Sequence, residues 1–209
     1  MAQEIEGGDK RIGIAVLEKA GFLTPKTFFL STTPKFFPNL DSEAVIFRPS
    51  LAGEFEAHAV ETTSGTVESL VVHRPEWYQY AHKVATMVET YPTIVQPLVA
   101  QSAGAIAHYW PNQEVIRVAI ADSTSHVSSG ANVQLTGRIF LGEGEFTTNV
   151  ASIGVQPARV LAAIHELASA FAALPRLQAW ELEMCLNEEG TLLLLQAQPS
   201  SAPYREILN

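Results

Sequence analysis

Apolar positions recur at the helical period in three stretches of this chain, and elsewhere they fall into short strand-like runs. Residues 12–20 read as a short helix ended by Gly21, because glycine takes the left-handed conformation that closes a helix. Residues 76–90 carry a weaker helical pattern, closed by Pro92. Residues 157–174 form the clearest helix, with Leu161, Ile164, Ala168 and Phe171 along one face and Pro157 in the first turn. Strands are predicted at 27–31, 44–47, 55–60, 67–72, 93–99, 104–108, 115–121 and 133–141. The turn Thr62-Thr63-Ser64-Gly65 joins two of them, and Pro34, Pro38, Asn39 and Asp41 mark an irregular connection. Segment 122–130 reads as strand and turn. With strands in the middle and helices flanking them, the expectation is an α+β fold with mostly antiparallel sheets.

The C-terminal pattern predicts a hairpin of 180–186 and 191–198 around Asn187-Glu188-Glu189-Gly190. A four-residue loop there makes residue 183 face 194 and 181 face 196. Alternation then gathers Glu181, Glu183, Gln196 and Gln198 on one face, and Leu182, Met184, Leu193 and Leu195 on the other. Glu183 and Gln196 become diagonal neighbours, and their oxygens suit a hard cation such as Mg²⁺ beside phosphates.

Composition narrows the function. The net charge is −9, from 22 acidic and 13 basic side chains, which disfavours general nucleic-acid binding. Only 17% of residues are charged against 47% hydrophobic, as suits a buried core rather than disorder. A lone cysteine, Cys185, excludes an intrachain disulfide and fits a reducing compartment. Residues 1–10 are polar, without the apolar core of a signal peptide, and no apolar run has membrane-spanning length. The expected location is the cytoplasm, with no membrane partner. No Walker loop, dinucleotide glycine motif or nucleophile elbow occurs. The six histidines show no metal-ligand spacing, and His165-Glu166 lacks the second histidine of a zinc-protease motif, since residue 169 is serine.

Four segments in order resemble one known family. Gly7-Gly8-Asp9-Lys10 precedes a helix, then Gly21, Pro25 and a strand with Phe28. VIFRPSLAGEF at 45–55 resembles a strand ending in Arg-Ser-Ser that leads to an Ala-Gly-x-Phe-Glu segment. TIVQPLV at 93–99 resembles a Val-Gln-x-Met-Val hinge. Glu181-Leu182-Glu183-Met184, with Leu194 to Pro199 (LLQAQP), resembles an Asp-Ile-Glu-Trp … Leu-Gln-Ala-Arg-Pro ending. Together they resemble the nucleotide-binding domain of pyruvate phosphate dikinase and phosphoenolpyruvate synthase. The resemblance implies a single shortened ATP-grasp-like domain over 1–209, with approximate lobes 1–92 and 93–209. It implies that Lys10 and Arg48 contact ATP phosphates, that the strand at Gln96, Pro97 and Leu98 holds adenine, and that Glu183 and Gln196 bind Mg²⁺.

Where the family has arginine before its final proline, this chain has Gln198, and Arg117 and Arg138 are the candidates to supply that charge instead. The loop at 50–52 is nearly absent, and Asp122-Ser123-Thr124-Ser125-His126 replaces a Gly-Leu-Gly-Glu stretch. The expected activity is ATP-dependent phosphotransfer, as in a kinase, to a histidine on a separate phosphohistidine-carrying protein. Thr124-Ser125-His126 echoes a phosphohistidine motif but lacks its glycine pair. The alternatives are a non-catalytic nucleotide-binding or regulatory module, and a structural relative with no ligand.

Overall fold

The computed structural model describes residues 9–50 and 69–200 except 131, 144, 149, 177 and 178. The strand predicted at 55–60, its turn and Gly7-Gly8 lie outside the described residues. The chain divides into two compact units, one from Met1–Gly13 and Pro25–Val99, the other from Ile14–Thr24 and Ala100–Asn209. Helix α1 (Asp9–Ala20) contributes to both. It ends as predicted: Gly21 has φ +92°, its N–H donates to the Glu18 carbonyl, and the Phe22 N–H donates to the Leu17 carbonyl. These two hydrogen bonds satisfy the Glu18 and Leu17 carbonyls, and Phe22 and Leu17 are buried beside the turn.

The first unit holds β1 (Phe28–Leu30), β2 (Ala44–Pro49), β3 (Leu70–His73), α2 (Trp77–Thr90) and β4 (Thr93–Pro97). The strands form one antiparallel sheet in the order β1-β4-β2-β3. Alternation along β2 sends Val45 and Phe47 into a core with Val72, Val95, Trp77, Val84 and Val88. The Phe47 and Trp77 rings stack at 6.2 Å. Ile46 and Arg48 therefore occupy the other face.

The second unit holds β5 (Gln101–Trp110), β6 (Val115–Ala121), α3 (Thr124–Ser129), β7 (Leu135–Phe140), β8 (Glu145–Thr148), α4 (Val155–Glu166), α5 (Ala168–Ala173), β9 (Trp180–Asn187) and β10 (Leu192–Pro199). Its six strands form an antiparallel sheet in the order β10-β9-β5-β6-β7-β8. On one face Ala103, Ala105 and Ala107 are small enough for α4 to pack close across β5, and Tyr109 meets Phe171 edge-on at 5.3 Å. The opposite face carries Ile106 and His108. None of the described helices is long and apolar enough to cross a membrane.

Three expectations need correction. The helix predicted at 157–174 is two helices that break at Leu167. Segment 122–130 is not strand and turn but contains α3, opened by Ser123, whose hydroxyl accepts the His126 N–H, and closed by left-handed Gly130. The third is the hairpin register. Asn187 and Thr191 close the loop by the Asn187 N–H to Thr191 carbonyl bond, leaving three loop residues with Gly190 at φ +86°. Leu186 thus faces Leu192, one step from the expected pairing, and a bulge between Leu194 and Gln196 adds a second step. One step alone would turn every side chain to the wrong face; two restore it. Glu183 consequently stands directly opposite Gln196, not diagonal to it, and Glu181 opposite Gln198. Leu194 and Ala197, rather than Leu193 and Leu195, share the face of Met184 and Leu182.

Candidate functional site

On the second unit's sheet, the face away from α4 opens into a cavity of about 430 Å³ lined by Ile106, His108, Arg117, Ala119, Glu181, Glu183, and Val127 and Ser128 of α3. Register explains the assembly. Glu181 opposes His108, which opposes Arg117, while Glu183 opposes Ile106, which opposes Ala119. Directly opposed residues share a face, so strands far apart in sequence bring carboxylates, an imidazole and a guanidinium together.

A chain of side-chain contacts fixes the acidic end. Gln196 Nε2 donates to Gln198 Oε1 at 3.1 Å, and Gln198 Nε2 donates to Glu181 Oε1 at 3.0 Å. His108 Nε2 lies 3.8 Å from Glu181 Oε2, and its Nδ1 lies 3.3 Å from Ser200 Oγ. Burial, and then the nearby Arg117 charge, pushes the His108 pKa below its ordinary 6.5. Burial, and then the Glu183 charge, raises Glu181, although the hydrogen bond from Gln198 opposes this. Both shifts favour the uncharged forms and so work against an ion pair across the 3.8 Å contact.

Gln196 is buried, its side-chain N–H donates to Gln198, and its strand position is directly opposite Glu183. Glu183 and Gln196 are thus adjacent oxygen donors of the hard type that Mg²⁺ prefers. Among the described residues no group of three or more His, Cys, Asp or Glu side chains is arranged to hold a metal. Mg²⁺ brought in with phosphates needs only one or two protein ligands, so this donor pair fits it.

The remaining predicted residues lie in the first unit. The Lys10 backbone N–H, in the first turn of α1, donates to Ser50 Oγ at 3.1 Å, so that amide is occupied. Arg48 and Gln96 share the sheet face opposite the core, through the pairings Arg48 with Ile94 and Ile46 with Gln96. The Gln96 side chain is 1% exposed and donates to Thr27 Oγ1 at 3.0 Å. Pro97 has no N–H, and that of Leu98 donates to the Ala44 carbonyl, so a base held here would meet carbonyls and the half-exposed Leu98 side chain.

No family model matches the sequence, and no curated protein matches it significantly. Solved structures share the fold. A D-alanine–D-alanine ligase from Bacillus anthracis complexed with ATP superposes with TM-score 0.54 at 12% identity, over 95% of this chain and 58% of that one. An L-amino acid ligase from Bacillus licheniformis gives 0.53 at 14% identity, over 92% and 40%. The ADP complex of N5-carboxyaminoimidazole ribonucleotide synthetase gives 0.54 at 11% identity, over 95% and 47%. The fold is ATP-grasp, and the chain spans about half the length of these structures.

These relatives in fold are ligases, which overturns the expected kinship with pyruvate phosphate dikinase and phosphoenolpyruvate synthase. Two of the features that suggested it answer to local structure. Gly21 closes a helix in the left-handed conformation, and a hairpin with one packed face alternates polar and apolar residues. Such demands mark a fold and not a family. Gln198 is accordingly not a replaced arginine but a bridge between Gln196 and Glu181. The phosphohistidine partner and the kinase reading have no support.

Proposed function

We propose that this chain is the nucleotide-binding part of an ATP-dependent ligase and binds Mg·ATP. One observation carries the reading: Glu183, which lines the second unit's cavity, stands directly opposite the buried Gln196 on the neighbouring strand of an ATP-grasp fold. Support comes from the names of the fold relatives, one a ligase complexed with ATP and another a synthetase complexed with ADP.

In this reading Glu183 and the Gln196 carbonyl hold the Mg²⁺, which neutralises charge on the phosphates. Gln198 holds the Gln196 amide in place by accepting its N–H. A ligase must turn a carboxylate oxygen into a leaving group. Attack by that oxygen on the γ-phosphorus forms the new O–P bond, breaks the bond to the β–γ bridging oxygen and releases ADP with the electron pair. An amine then displaces phosphate. The first step needs positioning and charge neutralisation more than covalent participation by the protein.

Calorimetry with ATP, with and without Mg²⁺, tests the site. Glu183→Gln should weaken Mg·ATP by roughly tenfold or more, the worth of one charged ligand, and leave metal-free ATP unchanged. Glu181→Gln should weaken it less, because Glu181 is already engaged by Gln198. Equal losses in the two variants, or none, would contradict the assignment.

A further inference from the structure

The second unit's cavity has walls of opposite charge. Register places Gln198, Glu181, His108, Arg117, Arg138 and Thr147 in one row across the sheet. The neighbouring row on the same face runs Gln196, Glu183, Ile106, Ala119 and Thr136. Strands are spaced about 4.8 Å apart, so the Arg117 backbone stands roughly 10 Å from that of Glu181 and roughly 12 Å from that of Glu183. Ile106 and Ala119 form a low apolar floor between the walls. Among the described residues Arg117 has no carboxylate within ion-pair distance. In the row it is flanked by His108, whose pKa its charge helps to lower, and by Arg138.

We propose that Arg117 is the anion contact of this cavity and holds the terminal phosphates of the nucleotide whose metal ion Glu183 and Gln196 bind. The assignment rests on the nucleotide-binding reading above. A cation held at Glu183 carries phosphate oxygens over the apolar floor, where the next charged group is the Arg117 guanidinium. A metal–polyphosphate matches both walls at once, because its cation faces the carboxylates and its anionic oxygens face the arginine. The planar fork of a guanidinium donates two parallel hydrogen bonds to one phosphate. Ile106 and Ala119 offer no competing polar atom, so nothing in the floor diverts the phosphate from it.

Calorimetry of the whole chain with Mg·ATP and with Mg·AMP, for the unaltered protein, Arg117→Met and Arg117→Lys, tests this. Methionine keeps much of the stem and removes the charge. Arg117→Met should bind Mg·ATP about 10- to 100-fold more weakly, as expected for lost charge-assisted hydrogen bonds. Its affinity for AMP, which lacks the terminal phosphates, should stay nearly unchanged, so the preference for ATP collapses. Arg117→Lys should recover part of the loss. Unchanged Mg·ATP affinity in Arg117→Met would overturn the assignment, and so would an equal loss for ATP and AMP. No binding of Mg·ATP by the unaltered protein would instead remove the nucleotide reading, and this assignment with it.

Discussion

Glu181 and His108 lie against each other in surroundings that favour the uncharged form of each. The sign of the pH effect differs between them. The folded His108 pKa lies below 6.5, so its contribution to stability is present above pH 6.5 and is lost as pH falls through the lowered value. The folded Glu181 pKa lies above 4.5, so its contribution is present below pH 4.5 and is lost as pH rises through the raised value. Urea midpoints of the unaltered protein and His108→Gln at pH 7.5 and 5.5 isolate the first effect. The unaltered protein should lose stability relative to the variant on acidification; an unchanging difference would show that His108 is not held neutral by folding. That Glu183 and Gln196 share one face of the hairpin was legible in the sequence, because alternation within one hairpin is a local property. That His108 and Arg117 line the same cavity was not legible. What gives His108 its place is the pairing of β5 with β9, and no local pattern reports a partner strand so distant in sequence.

Gly104 shows how one element holds another. A Cβ at Gly104 would overlap the backbone of Ser123 and Thr124, where α3 begins against β5. The Gln101 side chain reinforces this join, since its Oε1 accepts the Thr124 N–H at 2.9 Å. Gly104→Ala should therefore destabilise the protein by about 1–3 kcal/mol, the usual cost of overpacking, as read from urea unfolding. No change in the unfolding midpoint would mean that α3 does not pack as closely as described. Helix α3 was illegible because Thr124 to Ser129 is short, polar and without helical period. Its only markers were the flanking caps, Ser123 and Gly130. The hairpin was visible, but its register was not. Loop length and the bulge before Gln196 decide register, and neither leaves a hydrophobic signature.

At the scale of the molecule, the expected α+β class with mostly antiparallel sheets is the fold observed, and that fold is ATP-grasp. Strand alternation and helix ends sufficed for this, because each element was locally consistent with its place. Family was a harder question, since short segments that satisfy the same backbone demands resemble each other without kinship. The account's central claim is that the fold binds Mg·ATP, and thermal unfolding tests it most directly. A ligand that binds only the folded state at a hundred times its Kd stabilises by about 2.7 kcal/mol. For a chain of this size that raises the melting temperature by roughly 5–10 °C. The account predicts such a rise with Mg·ATP and a much smaller one with Mg²⁺ alone. An unchanged melting curve at millimolar Mg·ATP would contradict it.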